Sequence, residues 1–389
     1  MQFARLFPSI ISKQASFRQL ARPAVQTARA LPAWGQVGRV RQGRGRLAVF
    51  LPAYGRHGAA LLRIYNVARA LKGHGWRTLV IPWKLTLDQR YRILARACPD
   101  VLVMQGARHD LNRPALYPGY SIIYDMDDAD FHLPHLAGPV TRAMKEVACV
   151  IAGSRYIAEW CRKQGAEAHV VWTGTPVSGR PAPPQSARPP VVAWAQTRPE
   201  TYEREAGFVL EVMRRVAAQY PDVRLRLYDR QTGDVSAFLR RFETAGIQTE
   251  WRSSAGYRDY LRSFDDVAVG LAPLSSENPF SRGKAFGKVL AYLDRRVPVV
   301  ASDVGEYGAF FDGATGVVSN DMNVWVGEIV RLLGSPDRRE RVVAKAREAF
   351  CQQLSVEASA ERVNRVLRSV VMSPAESTAG QEPLARASA

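Results

Sequence analysis

No acidic residue occurs before Asp88. Over the same stretch stand fifteen cations: Arg5, Lys13, Arg18, Arg22, Arg29, Arg39, Arg41, Arg44, Arg46, Arg56, Arg63, Arg69, Lys72, Arg77 and Lys84. The remaining 39 basic and 36 acidic residues nearly cancel, so the net charge of +18 is concentrated at one end of the 389-residue chain. A one-signed block of this size calls for an anionic counterpart: nucleic acid, a membrane surface or a charged substrate. Cysteine is also sparse. Cys98, Cys149, Cys161 and Cys351 are far apart, with no CxxC and no histidine at metal spacing. That excludes a disulfide scaffold and a zinc site and predicts buried free thiols. No apolar run approaches the roughly 18–20 residues of a membrane-spanning helix. Arg5, Pro8 and Lys13 interrupt the stretch where a secretory peptide needs an unbroken apolar core. What remains is an ordinary globular inventory, and at roughly 100–200 residues per domain it predicts two domains.

The chain divides by composition. Residues 1–45 form a basic arm ending in the glycine- and arginine-rich stretch GQVGRVRQGRGR, which resembles a flexible linker. Near its start Phe3, Leu6, Phe7, Ile10 and Ile11 follow helical spacing between cations. Three readings stand side by side: a loosely docked arm, an interfacial helix or a targeting peptide. From 46 to 176, short apolar runs at 47–51, 78–82, 101–104, 121–125, 150–153 and 169–172 alternate with helix-length segments. A Pro-, Ser- and Ala-rich linker covers 177–190, and the alternation restarts over 191–371. The polar tail 372–389 reads as disordered. Val/Ile/Leu-rich strands between helices predict two Rossmann-like, doubly wound parallel sheets.

Open parallel sheets bind ligands outside the carboxyl ends of their strands, so the residues just after each strand carry the chemistry. After the first strand, Gly55, Arg56, His57 and Gly58 lead into a helix. They form either a plain strand–helix turn or an anion site at a helix N-terminus. The spacing is not GxGxxG, and no acidic ribose partner follows the second strand, which argues against a dinucleotide site. After the fourth strand come Asp125, Asp127, Asp128 and Asp130. Such a cluster serves as a solvated capping loop, as a base facing an acceptor hydroxyl, or as a hard-oxygen site for Mg²⁺. In the second half, Arg198 follows a strand and suits a diphosphate, whereas Arg204 reads as a surface arginine. The loop with Glu277, Asn278, Pro279 and Phe280 precedes a predicted helix over 284–294, whose Lys284 and Lys288 share one face near its positive end. Ser302 ends the next strand, and Gly305 would let a ligand approach the backbone.

The run KVLAYLDRRVPVVAS (288–302), with Gly305, the DGATG segment at 312–316 and the helix carrying Trp325, resembles the C-terminal signature of retaining glycosyltransferases of family 4. Gly73-His74-Gly75-Trp76 and Val150-Ile151-Ala152-Gly153-Ser154 resemble N-terminal segments of the same family. The resemblance spans roughly residues 46–370 and implies the GT-B architecture, two Rossmann-like domains facing across a cleft. It also implies transfer of a sugar from a nucleotide-sugar to an acceptor hydroxyl with retention of configuration, without a metal or other cofactor. Arg198 and Lys288 match the family's diphosphate ligands. Residues 277–280, with Lys284, Ser302 and Gly305, fall on the donor side. Gly55, Arg56, His57, Gly58 and Asp125 fall on the acceptor side, with Asp127 and Asp128 as catalytic candidates beside Lys288. Where the family usually carries a ribose-contacting Glu, this chain has Ala291.

The leading expectation is therefore a glycosyltransferase on the inner face of the cell membrane, using a lipid-linked or saccharide acceptor and held to anionic lipid by its basic end. Ala291 keeps a second reading open, a nucleotide-sugar-binding scaffold without turnover. Nucleic-acid binding is remote, because the basic block lacks a recognition motif and its aromatics are not interleaved as a stacking platform.

Overall fold

The computed structural model describes residues 31, 33–229, 235–253 and 256–372. Within them lie two six-stranded parallel sheets. The first contains β1 (Leu47–Leu51), β2 (Arg77–Val80), β3 (Val101–Gln105), β4 (Ile122–Met126), β5 (Cys149–Ala152) and β6 (Ala168–Val170), in the order β2-β1-β3-β4-β5-β6. The second contains β7 (Val191–Ala195), β8 (Arg224–Asp229), β9 (Gln248–Ser253), β10 (Val269–Ala272), β11 (Val299–Ala301) and β12 (Val317–Val318), in the order β12-β11-β10-β7-β8-β9. Runs such as LAVFL and VLVMQ are buried at every position, because helices cover both sheet faces. The strand order reverses between β1 and β3 in one sheet and between β7 and β10 in the other. Crevices open at such points beyond the carboxyl ends of the strands.

Several helices depart from the expectation. Residues 33–42, which overlap the stretch read as a linker, are helical (α1) and bury Ala33 and Val37 against the first core. The interfacial-helix and targeting readings of the earlier residues lie outside the described part of the chain. After β1 a π-helical turn, Ala60–Tyr65, runs into α2 (Asn66–Ala70) and a final 3₁₀ turn, Leu71–His74. In chain order there follow α3 (Leu87–Ala97), α4 (Pro134–Ala143), α5 (Arg155–Lys163), α6 (Glu203–Gln219), α7 (Ser236–Thr244), α8 (Tyr257–Arg262), α9 (Pro279–Arg282), α10 (Leu290–Asp294), α11 (Met322–Gly334), α12 (Pro336–Gln353) and α13 (Val356–Met372). The single helix expected over 284–294 is instead a 3₁₀ turn, Phe286–Lys288, followed by the short α10. Lys284 stands outside both and shares no helix face with Lys288. The cysteine expectation holds for Cys149 and Cys161, which are buried, but Cys98 and Cys351 are exposed.

The last helix ties the halves together. Val356, Ala360, Val363, Val366 and Leu367 of α13 join Ala48, Phe50, Ile64 and Val67 in one apolar cluster, so α13 completes the core of the first half. The Trp76 indole donates to Asn364 Oδ1 at 2.8 Å. Where the chain crosses over, a methyl on Gly174 would collide with the Ser355 carbonyl. Gly283 faces Ala129 across the two halves, where an added Cβ would come within 2.6 Å of the alanine methyl.

Candidate active site

A cavity of about 550 Å³ lies between the halves. Its floor on the second half comes from strand ends: Ala195, Gln196 and Thr197 after β7, Tyr228 on β8, and Arg252 and Ser253 on β9. The tyrosines at 257 and 260 of α8 form an aromatic wall, with Tyr260 edge-on to Tyr228 at 5.8 Å between ring centres. Gly287 and Lys288 close one side, and Arg56, His57, Gly58 and Leu61 of the first half close the other. Gly58 has φ +50°, a conformation glycine adopts without Cβ strain, which shapes the turn. No carboxylate lines this cavity among the described residues, whereas Arg56, Arg252 and Lys288 do. A cleft with three cations and aromatic walls suits an anion attached to a ring system.

The expected donor residues divide between two places. Lys288 lines the shared cavity, with Nζ 3.3 Å from Thr197 Oγ1. Arg198 adopts φ +56° at the start of the next turn, and its guanidinium lies 3.6 Å from Glu200; its neighbours Gln196 and Thr197, not Arg198, line the cavity. Glu277 and Ser302 line a separate groove of about 400 Å³ on the second half. There Glu277 pairs with Arg204, and both side chains are exposed, so Arg204 is the surface arginine the sequence predicts. Asn278 caps α9 by accepting from the Phe280 amide at 3.1 Å, and Pro279 starts that helix. The Phe280 ring lies 4.4 Å from Lys284 Nζ. Ser302 Oγ accepts from the Leu274 amide at 3.0 Å. Gly305, at φ +68°, packs against the Lys284 carbonyl, so its missing side chain admits backbone rather than ligand. Ala291 sits in the apolar core, and the adjacent Tyr292 hydroxyl donates to the Ala193 carbonyl at 2.9 Å.

The acceptor-side carboxylates need the most correction. Asp125 is buried beneath Arg63, whose Nη2 reaches Oδ1 at 2.6 Å while Nε reaches both oxygens at 3.0 Å. Burial lifts the Asp125 carboxyl above the usual range even with Arg63 beside it. Asp125 is thus a structural anchor with no face toward an acceptor. Asp128 accepts from Arg108 Nη2 and from Lys284 Nζ, both at 2.7 Å. Burial would raise its carboxyl, but Lys284 and then Arg108 outweigh that effect and hold it well below the ordinary range. A base works best with a pKa near the operating pH, so Asp128 makes a poor one. It acts as an ion-pair clasp between the halves, and Lys284 answers it instead of a donor phosphate. Asp127 is the most open of the three, at 24% exposure against 19% for Asp128; it accepts from Thr173 Oγ1 at 2.7 Å and pairs with Arg63 Nη1 at 3.5 Å. Gly153 makes room for it, since a Cβ there would lie 3.0 Å from Asp127 Oδ1. Nearby, burial and then Asp127 push the Tyr54 hydroxyl up to about 12, which keeps it neutral. Among the described residues no group of three or more His, Cys, Asp or Glu could hold a metal ion, because the β4 carboxylates already face Arg63, Arg108 and Lys284.

A second contact locks the halves. Glu306 is 3% exposed and accepts from the Arg155 amide at 2.7 Å, from Arg155 Nε at 3.0 Å and from the Trp172 indole at 2.9 Å. Sequence reasoning missed Glu306, Arg63, Arg108 and Arg252. Only Arg252 carried a signal, as the last charged residue of a strand.

Acidification tests the Asp128 clasp. A carboxyl whose folded pKa is depressed contributes stability above its unfolded value, near 3.9, and loses it as the pH falls through the folded value. Asp128→Asn should therefore lower the melting temperature at neutral pH and flatten the decline seen below about pH 4. Parallel acid limbs in the two proteins would refute the clasp.

Solved structures share this arrangement. The chain aligns with Anabaena HepE in complex with UDP-glucose at a TM-score of 0.63 and 16% identity, covering 84% of this chain and 100% of that one. It aligns with sucrose-phosphate synthase from Thermosynechococcus elongatus at 0.62 and 14%, covering 84% and 99%. The match to S. aureus TarM, solved with UDP and alpha-GlcNAc-glycerol, has a TM-score of 0.55 at 14% identity and covers 72% of this chain. This chain spans only 58% of TarM's length. No protein-family model matches the sequence, nor does any curated protein. Two doubly wound parallel sheets with a cleft between them define the GT-B fold, and this chain has that fold. At these identities the likeness is one of architecture.

Proposed function

We propose that the protein is a glycosyltransferase that moves a sugar from a nucleotide-sugar to an acceptor hydroxyl with retention of configuration. The observation that carries this reading is the carboxylate-free cleft shared by both halves, with Lys288, Arg252 and Arg56 around it and tyrosines on its wall. A nucleotide diphosphate matches that chemistry: the ring stacks on the aromatic side and the phosphates meet the cations. Lys288 would offset the charge that builds on the diphosphate as the sugar departs. Solved relatives in fold bear on the ligand class, since HepE was captured with UDP-glucose and, separately, with UDP and glucose.

The reaction needs no metal in this reading, because cationic side chains surround the cleft and lysine and arginine already take up the β4 carboxylates. The acceptor is a saccharide or a lipid-linked precursor, approached from the first half. The basic end of the chain faces the anionic inner surface of the cell membrane, where each cation contributes about 1 kcal/mol. No described helix is long and apolar enough to cross a membrane. A thermal-shift screen of UDP-, GDP- and dTDP-sugars tests the donor class, since a ligand of the folded state raises the midpoint. Donor hydrolysis or transfer in the presence of EDTA tests the rest. Buried Ala291, with no carboxylate at that position, favours the scaffold as the second reading. Stabilisation by a nucleotide-sugar without any turnover would select it.

A further inference from the structure

A second cavity, of about 590 Å³, lies on the first half beyond the edge strand β2. One wall is α1, through Arg39; the other is α2 and the turn after it, through Arg69 and Lys72. Trp83 and Gly55 close its upper end, and Arg56 lines both this groove and the interdomain cleft. The two cavities therefore meet at the turn after β1.

The charged residues that line the groove are all cations. Among the described residues none of Arg39, Arg56, Arg69 and Lys72 lies within 4.0 Å of a carboxylate, and no acidic side chain lines the space. The guanidinium of Arg56 sits 5.1 Å from the Tyr65 ring centre, a contact that orients it without neutralising it. Residues 1–30 cannot supply a counter-charge, since the first acid of the chain is Asp88. Four cations around one concavity repel one another, and an anion placed among them relieves that repulsion.

We propose that this groove binds the phosphate or diphosphate group of the acceptor substrate, leaving the hydroxyl-bearing end of that acceptor to enter the cleft past Arg56. The proposal rests on the glycosyltransferase reading for its acceptor and names the class: a phosphate ester, whether soluble or carried on a lipid. The geometry gives the order of the parts, with donor between the sheets, acceptor hydroxyl at the shared turn and acceptor phosphate against Arg39, Arg69 and Lys72.

The test uses the full chain: inorganic pyrophosphate is titrated calorimetrically with the cleft held by saturating UDP, and UDP is titrated separately. Arg69→Ala/Lys72→Ala should weaken pyrophosphate binding by about tenfold or more, as two charge-assisted contacts are lost, while UDP binding stays within about twofold. Lys288→Ala should do the reverse. Both cations are exposed, so the double variant keeps its fold, and an unchanged melting temperature confirms that. Pyrophosphate binding that is unchanged in the double variant overturns the groove assignment. So does a wild type that ignores pyrophosphate yet sediments with phosphatidylglycerol-containing vesicles, for then the cations form a membrane-facing surface. A Lys288→Ala variant that leaves UDP affinity intact overturns the cleft reading instead and leaves the groove result standing by itself.

Discussion

Lys288→Ala should lower the rate of sugar transfer by about two to three orders of magnitude while leaving the melting temperature nearly unchanged. The size follows from what removal of one preorganised charge at a developing anion costs in other enzymes. The direction follows from place. Lys288 lines the cavity between the halves, and it does so on a turn rather than inside the core. Its ammonium donates to the Thr197 hydroxyl from a half-buried position on that turn, and truncation there should cost about 1 kcal/mol or less. The loss should fall mainly on kcat, because charge on the diphosphate grows as the glycosidic bond breaks. Lys288→Arg keeps the charge and should recover part of the rate, though a planar fork does not reproduce an ammonium. Wild-type turnover in Lys288→Ala would remove the lysine from the mechanism. Loss of nucleotide affinity without any wild-type turnover would return the protein to the scaffold reading.

Much of the fold was legible because its cause is local. Strands buried on both faces must be continuous apolar runs, and such runs mark most of the strands to within a few residues, although β8 (RLRLYD) and the edge strand β9 (QTEWRS) are not apolar throughout. Other features depended on partners far away in sequence. The aspartates after β4 were visible as a costly cluster, but their roles were set by Arg63, sixty-two residues from Asp125, and by Arg108 and Lys284. Pattern alone could not say which carboxylate would be sealed, clasped or left open. α1 was hidden by Gly35 and Gly38, residues that weaken a helix in isolation; packing of Ala33 and Val37 on the first core outweighs that propensity. The expected helix over 284–294 failed for a related reason. Gly283 is needed for close approach to Ala129, and Lys284 is drawn across to Asp128, so the chain cannot begin a regular helix there. α13 follows the second half in sequence, yet its apolar stripe is complementary to Ala48 and Phe50, and periodicity does not name the surface a stripe will meet.

Asp125→Ala should cost about 3 kcal/mol, because it leaves the buried Arg63 guanidinium with only the partly exposed Asp127, 3.5 Å away, to offset its charge. Arg63 is 3% exposed and cannot turn to solvent. Its Nη1 also donates to the Val171 carbonyl at 2.9 Å and to Thr173 Oγ1 at 3.0 Å, and these contacts hold the head in place after the carboxylate is gone. At about 2–4 °C per kcal/mol for a domain of this size, the midpoint should drop by about 10 °C. The remedy distinguishes a stranded charge from lost packing. Adding Arg63→Leu to Asp125→Ala removes the orphan and should restore a substantial part of the loss, as replacing both partners of a buried pair is often near neutral. Function separates the two aspartates on this strand end. Assayed well below its midpoint, Asp125→Ala should keep most of its turnover, because the side chain faces Arg63 and not the cleft. Asp127→Ala, at the partly open position two residues on, should lose more activity than stability. If Asp125→Ala melted like the wild type but lost its activity, Asp125 would belong to the acceptor site after all, and the buried pair with Arg63 would not be what holds this end of β4.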